Sequence, residues 1–399
     1  MKNIDELLKS ANADAYILYA GSRDPDMRYI SEFNVSDPLL CVRCAGKRPA
    51  LIVPQMEKER ALAESACDVI TRGELEFFKY YEEFNDGFKA QAKMTADYVA
   101  ANALNGIGDR YGNAGGRKPV ILVPENFPIV FAKELESYCT LVVDRGGMEK
   151  IRSVKTEDEI AKIRACQAVN ERALAFAVGI IKTAPSDNGE LRIPEGFAGE
   201  GEPLTSDVLR GLIECFFLKN GCVAEETIVS CGAETAMPHN IGHGVLCENE
   251  PIVLDIFPRD TKTGYYSDMT RTVLRGEASR ELVKLYDTVA AGKKLGESMI
   301  RAGVKGCDVH NAVLKYFEDS GYHTETEGFI HSLGHGVGLA IHEQPSLSPS
   351  GGELAHGNIV TVEPGLYYKG IGGVRLEDMG LVTEGGFDCF TKAEEKLIL

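Results

Sequence analysis

Four acidic residues lie in apolar stretches of the C-terminal half of this chain, where a buried carboxylate needs a charged or hydrogen-bonding partner. They are Asp255, Asp268, Glu363 and Glu377. If the strands around the two aspartates form a symmetrical hairpin with its axis between positions 261 and 262, Asp255 stands directly opposite Asp268. The two glutamates repeat this pattern about Gly370, with Pro364 at a bulge or strand end. Two such pairs facing each other would concentrate four negative charges, which two divalent cations would balance.

Histidine is confined to the same half of the chain, because all eight histidines fall within residues 239–356. Residues 331–342 hold three of them, with three glycines in five positions that disfavour a helix and suit close approach of backbone to a ligand. His335, flanked by two of these glycines, is the expected metal ligand. Taken singly, each residue has a plainer reading: a turn aspartate, an Arg375–Glu377 ion pair, or a hydrogen-bonded core histidine. Together, two matched carboxylate hairpins and a glycine-flanked histidine indicate a metal site.

The elements that would position these residues divide into two predicted domains, 1–150 and 151–399. In the first domain, short β-branched and aromatic runs alternate with helical patterns, which predicts an α/β domain. Its strands are expected near 15–19, 39–43, 50–54, 119–123 and 140–144. The glycines and charges of residues 144–150 predict a linker. A capping-box spacing from Thr156 to Glu159 then begins a long amphipathic helix, which opens the second domain.

The composition argues against several other classes of protein. Sixty acidic against 43 basic residues give a net charge of −17, and no lysine or arginine run offsets it, so neither nucleic acid nor membrane is an expected partner. The N-terminal sequence does not read as a signal peptide, and no apolar run reaches about 20 residues, which predicts a cytoplasmic protein. An odd count of 11 cysteines predicts reduced thiols, and Cys41 and Cys44 read as strand residues rather than zinc ligands.

The motifs around the carboxylates and His335 resemble the pita-bread metallopeptidase family, which includes methionine aminopeptidases, Xaa-Pro aminopeptidases and prolidases. Asp255 comes first, followed by Ser-Asp-Met-Thr-Arg-Thr, Gly-His-Gly-Val-Gly, Val-Glu-Pro-Gly-Leu-Tyr and Val-Arg-Leu-Glu-Asp, in the family's order. Met27-Arg-Tyr-Ile30 and the helix from Thr156 are similar to the N-terminal domain and joining helix of the creatinase and Xaa-Pro branch. The resemblance implies an α/β N-terminal domain and an α+β C-terminal pita-bread domain with a curved antiparallel sheet.

Carried over to this chain, the resemblance also implies how two divalent metal ions are held. Asp255 would hold one ion, His335 and Glu363 would hold the other, and Asp268 and Glu377 would bridge both. Four carboxylates and one imidazole suit manganese best, with cobalt, iron and zinc as alternatives.

Further positions match the family's substrate-binding and supporting groups. The resemblance implies catalytic roles for His239 and His342, which would contact the scissile amide and the tetrahedral intermediate, and for Glu363, which would shuttle the proton. His331 and Arg375 match positions that support the ligands or the substrate. A purely structural role stays open for all four residues, His239, His342, His331 and Arg375.

The chain departs from the family pattern at three points. Asp255 and Asp268 are 13 positions apart (255 to 268), two more than is usual, but an even insertion at a hairpin tip keeps the facing pair in register, so metal binding is expected to survive. Phe257 stands where the family usually has glycine, which adds bulk near the site and leaves the accepted substrate size open. His243 follows His239 in an unusual His-Asn-Ile-Gly-His sequence and competes with it for the catalytic assignment.

The predicted function is hydrolysis of the Xaa-Pro bond of dipeptides or peptide N-termini by a hydroxide that bridges the two metal ions. The expected partner is a proline-containing peptide or dipeptide, and a homodimer is expected. One alternative is a metal-independent, creatinase-like hydrolase, which the intact ligand set disfavours. The other is a catalytically inactive peptide-binding or protein-binding member of the same fold.

Overall fold

The computed structural model describes residues 4–103 and 117–399, which divide into an N-terminal unit that ends at Arg152 and a C-terminal unit, Ser153–Leu399. The N-terminal unit contains helices α1 (Ile4–Ser10), α2 (Pro25–Ser31), α3 (Lys58–Glu64), α4 (Phe77–Phe84), α5 (Gly87–Ala103), α6 (Ile129–Leu135) and α7 (Gly147–Ser153). Its strands are β1 (Ala15–Ala20), β2 (Leu39–Cys44), β3 (Ala50–Val53), β4 (Asp68–Thr71), β5 (Val120–Pro124) and β6 (Thr140–Asp144). Among the described residues, no helix combines the length and apolar character needed to span a bilayer.

The six N-terminal strands form one mixed sheet in the order β4-β3-β2-β1-β5-β6. Successive side chains of β1 point to opposite faces, so Tyr16 and Leu18 join one apolar core while Ala15 and Ile17 join another. Apolar packing on both faces is the arrangement expected of an α/β domain, and that prediction is confirmed.

Five of the six strands lie where the sequence predicts them, and the missed strand is β4, a four-residue edge strand that pairs only with β3 in this sheet. The predicted linker at 144–150 is wrong in part, because α7 begins inside it at Gly147. The Asp144 carboxylate accepts hydrogen bonds from the backbone N–H groups of Gly147 and Met148 and so caps this helix. All eleven cysteines are free thiols, and Cys41 and Cys44 lie on β2 as expected.

The C-terminal unit contains four helices and fourteen short strands among the described residues. The helices are α8 (Glu157–Thr183), α9 (Ser206–Lys219), α10 (Arg280–Met299) and α11 (Gly306–Asp319). The strands are β7 (Ser186–Asp187), β8 (Glu190–Leu191), β9 (Cys222–Val223), β10 (Ile228–Cys231), β11 (Ile252–Ile256), β12 (Arg259–Asp260), β13 (Met269–Val273), β14 (Gly334–Gly336), β15 (Glu343–Leu347), β16 (Ile359–Val362), β17 (Gly365–Tyr368), β18 (Gly372–Arg375), β19 (Asp378–Val382) and β20 (Phe387–Cys389). The predicted capping box at the start of α8 is present.

Two antiparallel sheets in this unit each pack against a pair of helices. The sheet β10-β11-β13 shares a core with α8 and α9, and the sheet β15-β14-β16-β19-β20 shares a second core with α10 and α11. The two sheets meet where β13 contacts the end of β18 and the residues that follow it. Arg375 N donates to Thr272 Oγ1 at 3.1 Å, and Glu377 N donates to Thr270 O at 3.1 Å. The functional side chains project from this junction.

The two predicted carboxylate hairpins have different outcomes. Around Gly370, Val362 pairs with Asp378 and Gly365 pairs with Arg375, which is the register that places Glu363 opposite Glu377. In the other hairpin Asp255 pairs with Thr270, so the predicted direct pairing with Asp268 is wrong. The axis lies one position further along the chain, which shifts the register by two residues and leaves the face unchanged.

Candidate metal centre and substrate cleft

A cavity of about 900 Å³ opens at the junction of the two sheets. It is lined by ten of the eleven residues singled out from the sequence: His239, Asp255, Phe257, Asp268, His331, His335, His342, Glu363, Arg375 and Glu377. The eleventh, His243, is not among the lining residues. Its side chain is 66% exposed and its Nδ1 lies 3.4 Å from Glu234 Oε1, so the structure separates it from His239.

Strand ends bring the carboxylates together. Asp255 lies near the end of β11 and Asp268 directly precedes β13, so both belong to one sheet. Glu363 directly follows β16 and Glu377 directly precedes β19. At Pro364 the ladder is interrupted, and Glu363 N donates to Leu333 O while Glu377 N donates to Thr270 O. The two glutamates therefore leave their own ladder and carry their side chains to the junction.

Asp268, His335 and Glu377 form a cluster in which one potential ligand atom from each residue lies within 4.8 Å of the others. Asp268 is 4% exposed and Glu377 is 1% exposed. Asp268 Oδ1 and Glu377 Oε1 have no hydrogen-bond partner among the described residues, although buried carboxylate oxygens nearly always have one. Two unsatisfied carboxylate oxygens beside an imidazole are a donor set that fits a divalent metal ion.

The electrostatics of this cluster favour the same reading. Burial raises the pKa of the Asp268 carboxyl well above its usual range, and the nearby charge of Glu377 raises it further. Burial likewise raises the pKa of Glu377, and the charges of Glu363 and Asp255 add to the effect. Without a cation, Asp268 and Glu377 are therefore forced toward their protonated forms.

Metal binding to the metal-free protein is expected to release protons and to weaken as the pH falls. Because the pKa values of Asp268 and Glu377 are raised, these carboxyls retain protons at a pH where exposed carboxyls have lost them, and an incoming cation must displace those protons. Titration calorimetry with Mn²⁺ in two buffers of different protonation enthalpy would count the protons released. Equal heats in the two buffers would contradict this expectation.

Glu363 and His335 form an ion pair beside the cluster, with His335 Nε2 3.2 Å from Glu363 Oε1. Burial alone would raise the pKa of Glu363, but the hydrogen bond and positive charge of His335 lower it to about 2. Burial alone would lower the pKa of His335, but Glu363 raises it to about 9. Thr361 Oγ1 accepts from His335 N and donates to Glu363 Oε1, which fixes the two side chains relative to each other.

Asp255 has a permanent cationic partner, because Arg375 Nη2 lies 2.6 Å from Asp255 Oδ2. Arg375 Nη1 also donates to the hydroxyl of Tyr367 at 2.9 Å, and that hydroxyl lies 3.0 Å from His331 Nε2. Sequence reasoning did not single out Tyr367, which is buried beneath the cavity wall. The hairpin about Gly370 contained the signal, since its register places Tyr367 on the same face as Arg375 and diagonal to it.

The two histidines with predicted catalytic roles, His239 and His342, reach the cavity in different ways. His342 packs edge to face against His335 with ring centroids 4.3 Å apart, and burial, followed by the charge of His335, lowers its pKa, so it is neutral at pH 7. His239 stands on an exposed turn after Pro238. The structure thus places His239 and His342 on the wall of the same cavity as Phe257, which adds an aromatic ring to the lining.

Comparison with known proteins identifies the class to which this site belongs. Residues 161–384 match the model of metallopeptidase family M24, and residues 1–106 match the creatinase/prolidase N-terminal domain. The match to family M24 covers more than half of this chain, so the chain belongs to metallopeptidase family M24. The predicted membership of the pita-bread family is confirmed, and the family implies divalent metal ions as cofactors.

Individual relatives agree with this assignment. An uncharacterized peptidase of Methanocaldococcus jannaschii is 31% identical over 282 residues, covering 68% of this chain and 72% of that protein. A Xaa-Pro dipeptidase of Pyrococcus horikoshii is 27% identical over 407 residues, covering 100% of this chain and 98% of that protein. The structure of a Xaa-Pro dipeptidase from Bacillus anthracis, 23% identical, superposes with a TM-score of 0.80 and covers 100% of this chain and 98% of the other. That similarity confirms the predicted two-domain pita-bread fold.

Proposed function

We propose that this chain is a metal-dependent peptidase that hydrolyses the bond before proline in dipeptides or at peptide N-termini. The observation that carries the proposal is the cluster of Asp268, His335 and Glu377, with two buried carboxylate oxygens unsatisfied, on the wall of a peptide-sized cavity. The preference for proline is supported by the similarity along the whole chain to the Pyrococcus horikoshii Xaa-Pro dipeptidase.

The proposal includes two divalent metal ions, most suitably manganese, with cobalt, iron and zinc as alternatives. Asp255 would hold one ion, His335 and Glu363 the other, and Asp268 and Glu377 would bridge them. Bound there, the ions supply Lewis acidity that polarises the scissile carbonyl and makes water nucleophilic at neutral pH. The four carboxylates outnumber the two cationic side chains paired with them, Arg375 and His335, and this local excess of negative charge suits bound cations.

The side chains of the cavity supply the remaining chemistry. Glu363, ionised at neutral pH, can accept the proton that water loses on attack and pass it to the leaving nitrogen. His342, neutral at pH 7, can donate an N–H hydrogen bond to the oxygen that gains negative charge. His239 stands on the same wall, where it can bind the peptide carbonyl or the same developing charge.

A hydrolysis screen tests the proposal directly. Purified protein would be assayed on Xaa-Pro dipeptides and on longer peptides with proline in the second position, with Mn²⁺, Co²⁺, Fe²⁺ or Zn²⁺ added in turn. Elemental analysis of the active protein would separate a metallopeptidase from a metal-independent hydrolase, since full activity without bound metal would contradict the proposal. Metal binding without hydrolysis of any peptide would favour the inactive binding protein.

A homodimer located in the cytoplasm completes the proposal and rests on the resemblance to the Xaa-Pro branch. Light scattering coupled to size-exclusion chromatography would test the dimer, because the chain mass of 43.4 kDa makes monomer and dimer easy to separate. Fractionation of the source cells would test the location.

Replacement of His239 by alanine is expected to lower kcat/KM by about 10²-fold or more, as the loss of a group that stabilises transition-state charge does elsewhere. The matched replacement His243→Ala should change kcat/KM by less than about threefold, because the His243 side chain is 66% exposed and lies outside the cavity lining. Steady-state kinetics on one Xaa-Pro substrate would compare the two variants. A large loss at His243 with little effect at His239 would reverse the assignment.

Xaa-Pro substrates are expected to be preferred over matched Xaa-Ala substrates by at least about tenfold in kcat/KM. A prolyl leaving group has no N–H, whereas a secondary amide in the same apolar pocket leaves its N–H buried and unpaired at a cost of about 1–3 kcal/mol. Phe257 is a bulky residue of the cavity lining, and crowding by its side chain would weaken binding of the prolyl ring. Equal cleavage of Xaa-Ala by fully metallated enzyme would refute proline preference and leave the metallopeptidase assignment intact.

A further inference from the structure

The turn that carries His239 has little apolar packing of its own. Asn240 N donates to Met237 O at 2.9 Å, which closes a four-residue turn with Pro238 and His239 at its two central positions. Met237 is 52% exposed and Ile241 is 42% exposed. Because segments with few buried apolar contacts open readily, hydrogen bonds must fix the position of this turn.

On one side of the turn, Arg210 supplies side-chain hydrogen bonds in addition to the backbone bond from Val229 N to Ile241 O at 3.0 Å. Its Nη2 donates to Gly242 O at 2.9 Å and also to Ile241 O, the two carbonyls that follow the turn. Its Nε donates to Thr227 O at 3.0 Å, directly before β10. One planar guanidinium thus joins two separate chain segments, which a lysine ammonium on a flexible stem does less well.

The helix from which the Arg210 side chain extends is firmly packed. Helix α9 begins after Thr205, whose side chain accepts from Val208 N, and Leu209 and Ile213 are fully buried in the core. The Arg210 guanidinium is also oriented by Asp207 Oδ1, which accepts from Nη1 at 2.6 Å one helical turn earlier. The donors that hold the turn are therefore already in position on a fixed element.

The other side of the turn is held in a similar way. Arg375 Nη1 donates to Pro238 O at 3.2 Å, and Arg375 is itself bound to Asp255. After the turn, Gly242 passes so close to β10 that a Cβ at this position would lie 1.8 Å from Val229 O. The turn that carries His239 is thus hydrogen-bonded by two guanidinium groups, and of these only Arg375 has been given a role above.

We infer that Arg210 is a positioning residue for the proposed reaction, holding the His239 turn over the cavity by binding the carbonyls of Ile241 and Gly242. The inference rests on the proposed function, because it assigns His239 to substrate. Arg210 and Ile241 both line the cavity. A displacement of the turn would therefore move His239 relative to the cluster of Asp268, His335 and Glu377. A misplacement of about 1 Å can cost about 10²-fold in rate.

The kinetic test is a double-mutant cycle between Arg210 and His239 in the metal-loaded full chain. Arg210→Ala should lower kcat/KM by about 10–100-fold in the wild-type background and by less than about threefold in the His239→Ala background. Arg210→Lys should fall between wild type and Arg210→Ala. The control is Arg164→Ala, which removes a guanidinium that binds Asp388 at 2.6 Å outside the cavity and should leave kcat/KM within about threefold of wild type.

A second measurement does not depend on activity. Hydrogen exchange followed by mass spectrometry should show faster exchange in peptides covering residues 237–244 of Arg210→Ala, and no change there in Arg164→Ala. Equal losses of kcat/KM in both His239 backgrounds, or unchanged exchange in this segment, would overturn the inference. If the wild-type chain hydrolyses no peptide, the proposed function fails, and the exchange data still decide whether Arg210 holds the turn. If Arg210→Ala does not fold, Arg210→Lys serves in both measurements.

Discussion

Replacing Glu377 with glutamine is expected to lower kcat/KM by at least about 10³-fold and to reduce the metal content at both proposed positions. Loss of a residue that only supports a ligand typically costs about 10–100-fold, and Glu377 is assigned as a ligand shared by both ions. Glutamine keeps the size of the side chain and an oxygen that can accept from Thr270 Oγ1, which now donates to Glu377 Oε2 at 2.9 Å. The expected loss therefore reflects the missing negative charge rather than a collapsed site.

The same variant carries a second, opposite expectation for stability. Since burial raises the pKa of Glu377 in the fold above its value in the unfolded chain, its contribution to stability is full at low pH and is lost as the pH rises through the folded pKa. Glutamine does not ionise, so it loses no stability as the pH rises. Metal-free Glu377→Gln should therefore unfold at a higher temperature than metal-free wild type near pH 7. The difference should shrink toward pH 4. Differential scanning calorimetry across this range would measure both trends.

Two comparison variants make the result specific. Asp255→Asn should weaken mainly one metal position, because Asp255 is assigned to a single ion. Glu159→Gln changes a buried carboxylate outside the cavity, where Oε1 accepts from Tyr265 and Oε2 accepts from Thr156 N, and should retain activity and metal. Full metal occupancy with normal kcat in Glu377→Gln would refute the bridging assignment.

Replacing Glu363 with glutamine is expected to lower kcat by about 10²–10⁴-fold with KM within about threefold of wild type. The amide retains an oxygen for a metal and for the hydrogen bond from Thr361, but it cannot accept and return a proton. A group whose pKa lies at about 2 beside His335 is ionised throughout the neutral range, so the wild-type carboxylate is available as a base there. Loss of proton transfer alone gives this separation between kcat and KM.

Metal content distinguishes loss of proton transfer from loss of an ion. Glu363→Gln should bind as much metal as wild type by elemental analysis, and the matched replacement at exposed Glu353, on the same unit, should leave both kcat and KM unchanged. A Glu363→Gln variant with near wild-type kcat would assign the proton shuttle to another group.

The sequence specified the hairpin about Gly370 correctly because register within a short hairpin depends on local spacing. Alternation of side chains along β16 and β19 determines which face is buried, and Glu363 and Glu377 then fall opposite each other without further information. The hairpin that carries Asp255 shows the limit of this reasoning. There the tip is held by contacts outside the hairpin, since β12 pairs with β9 and Thr261 N donates to Gly221 O. The symmetry axis of this hairpin lies one position further along the chain than the sequence predicts, and no local sequence pattern specifies that shift.

The sequence by itself therefore determined the carboxylates and His335 as candidate ligands, the two-domain class and most strands of the first domain. Its signals were side-chain period, spacing and motif, all of which act over a few residues. Only the tertiary structure decided that His239 and not His243 lines the cavity, that Tyr367 links His331 to Arg375, and that Arg210 binds the carbonyls after the turn. Arg375 and Asp255 are 120 positions apart, and Arg210 and Gly242 are 32 apart. Such contacts form because packing of whole sheets and helices brings distant polar groups to one buried place, where each must find a partner.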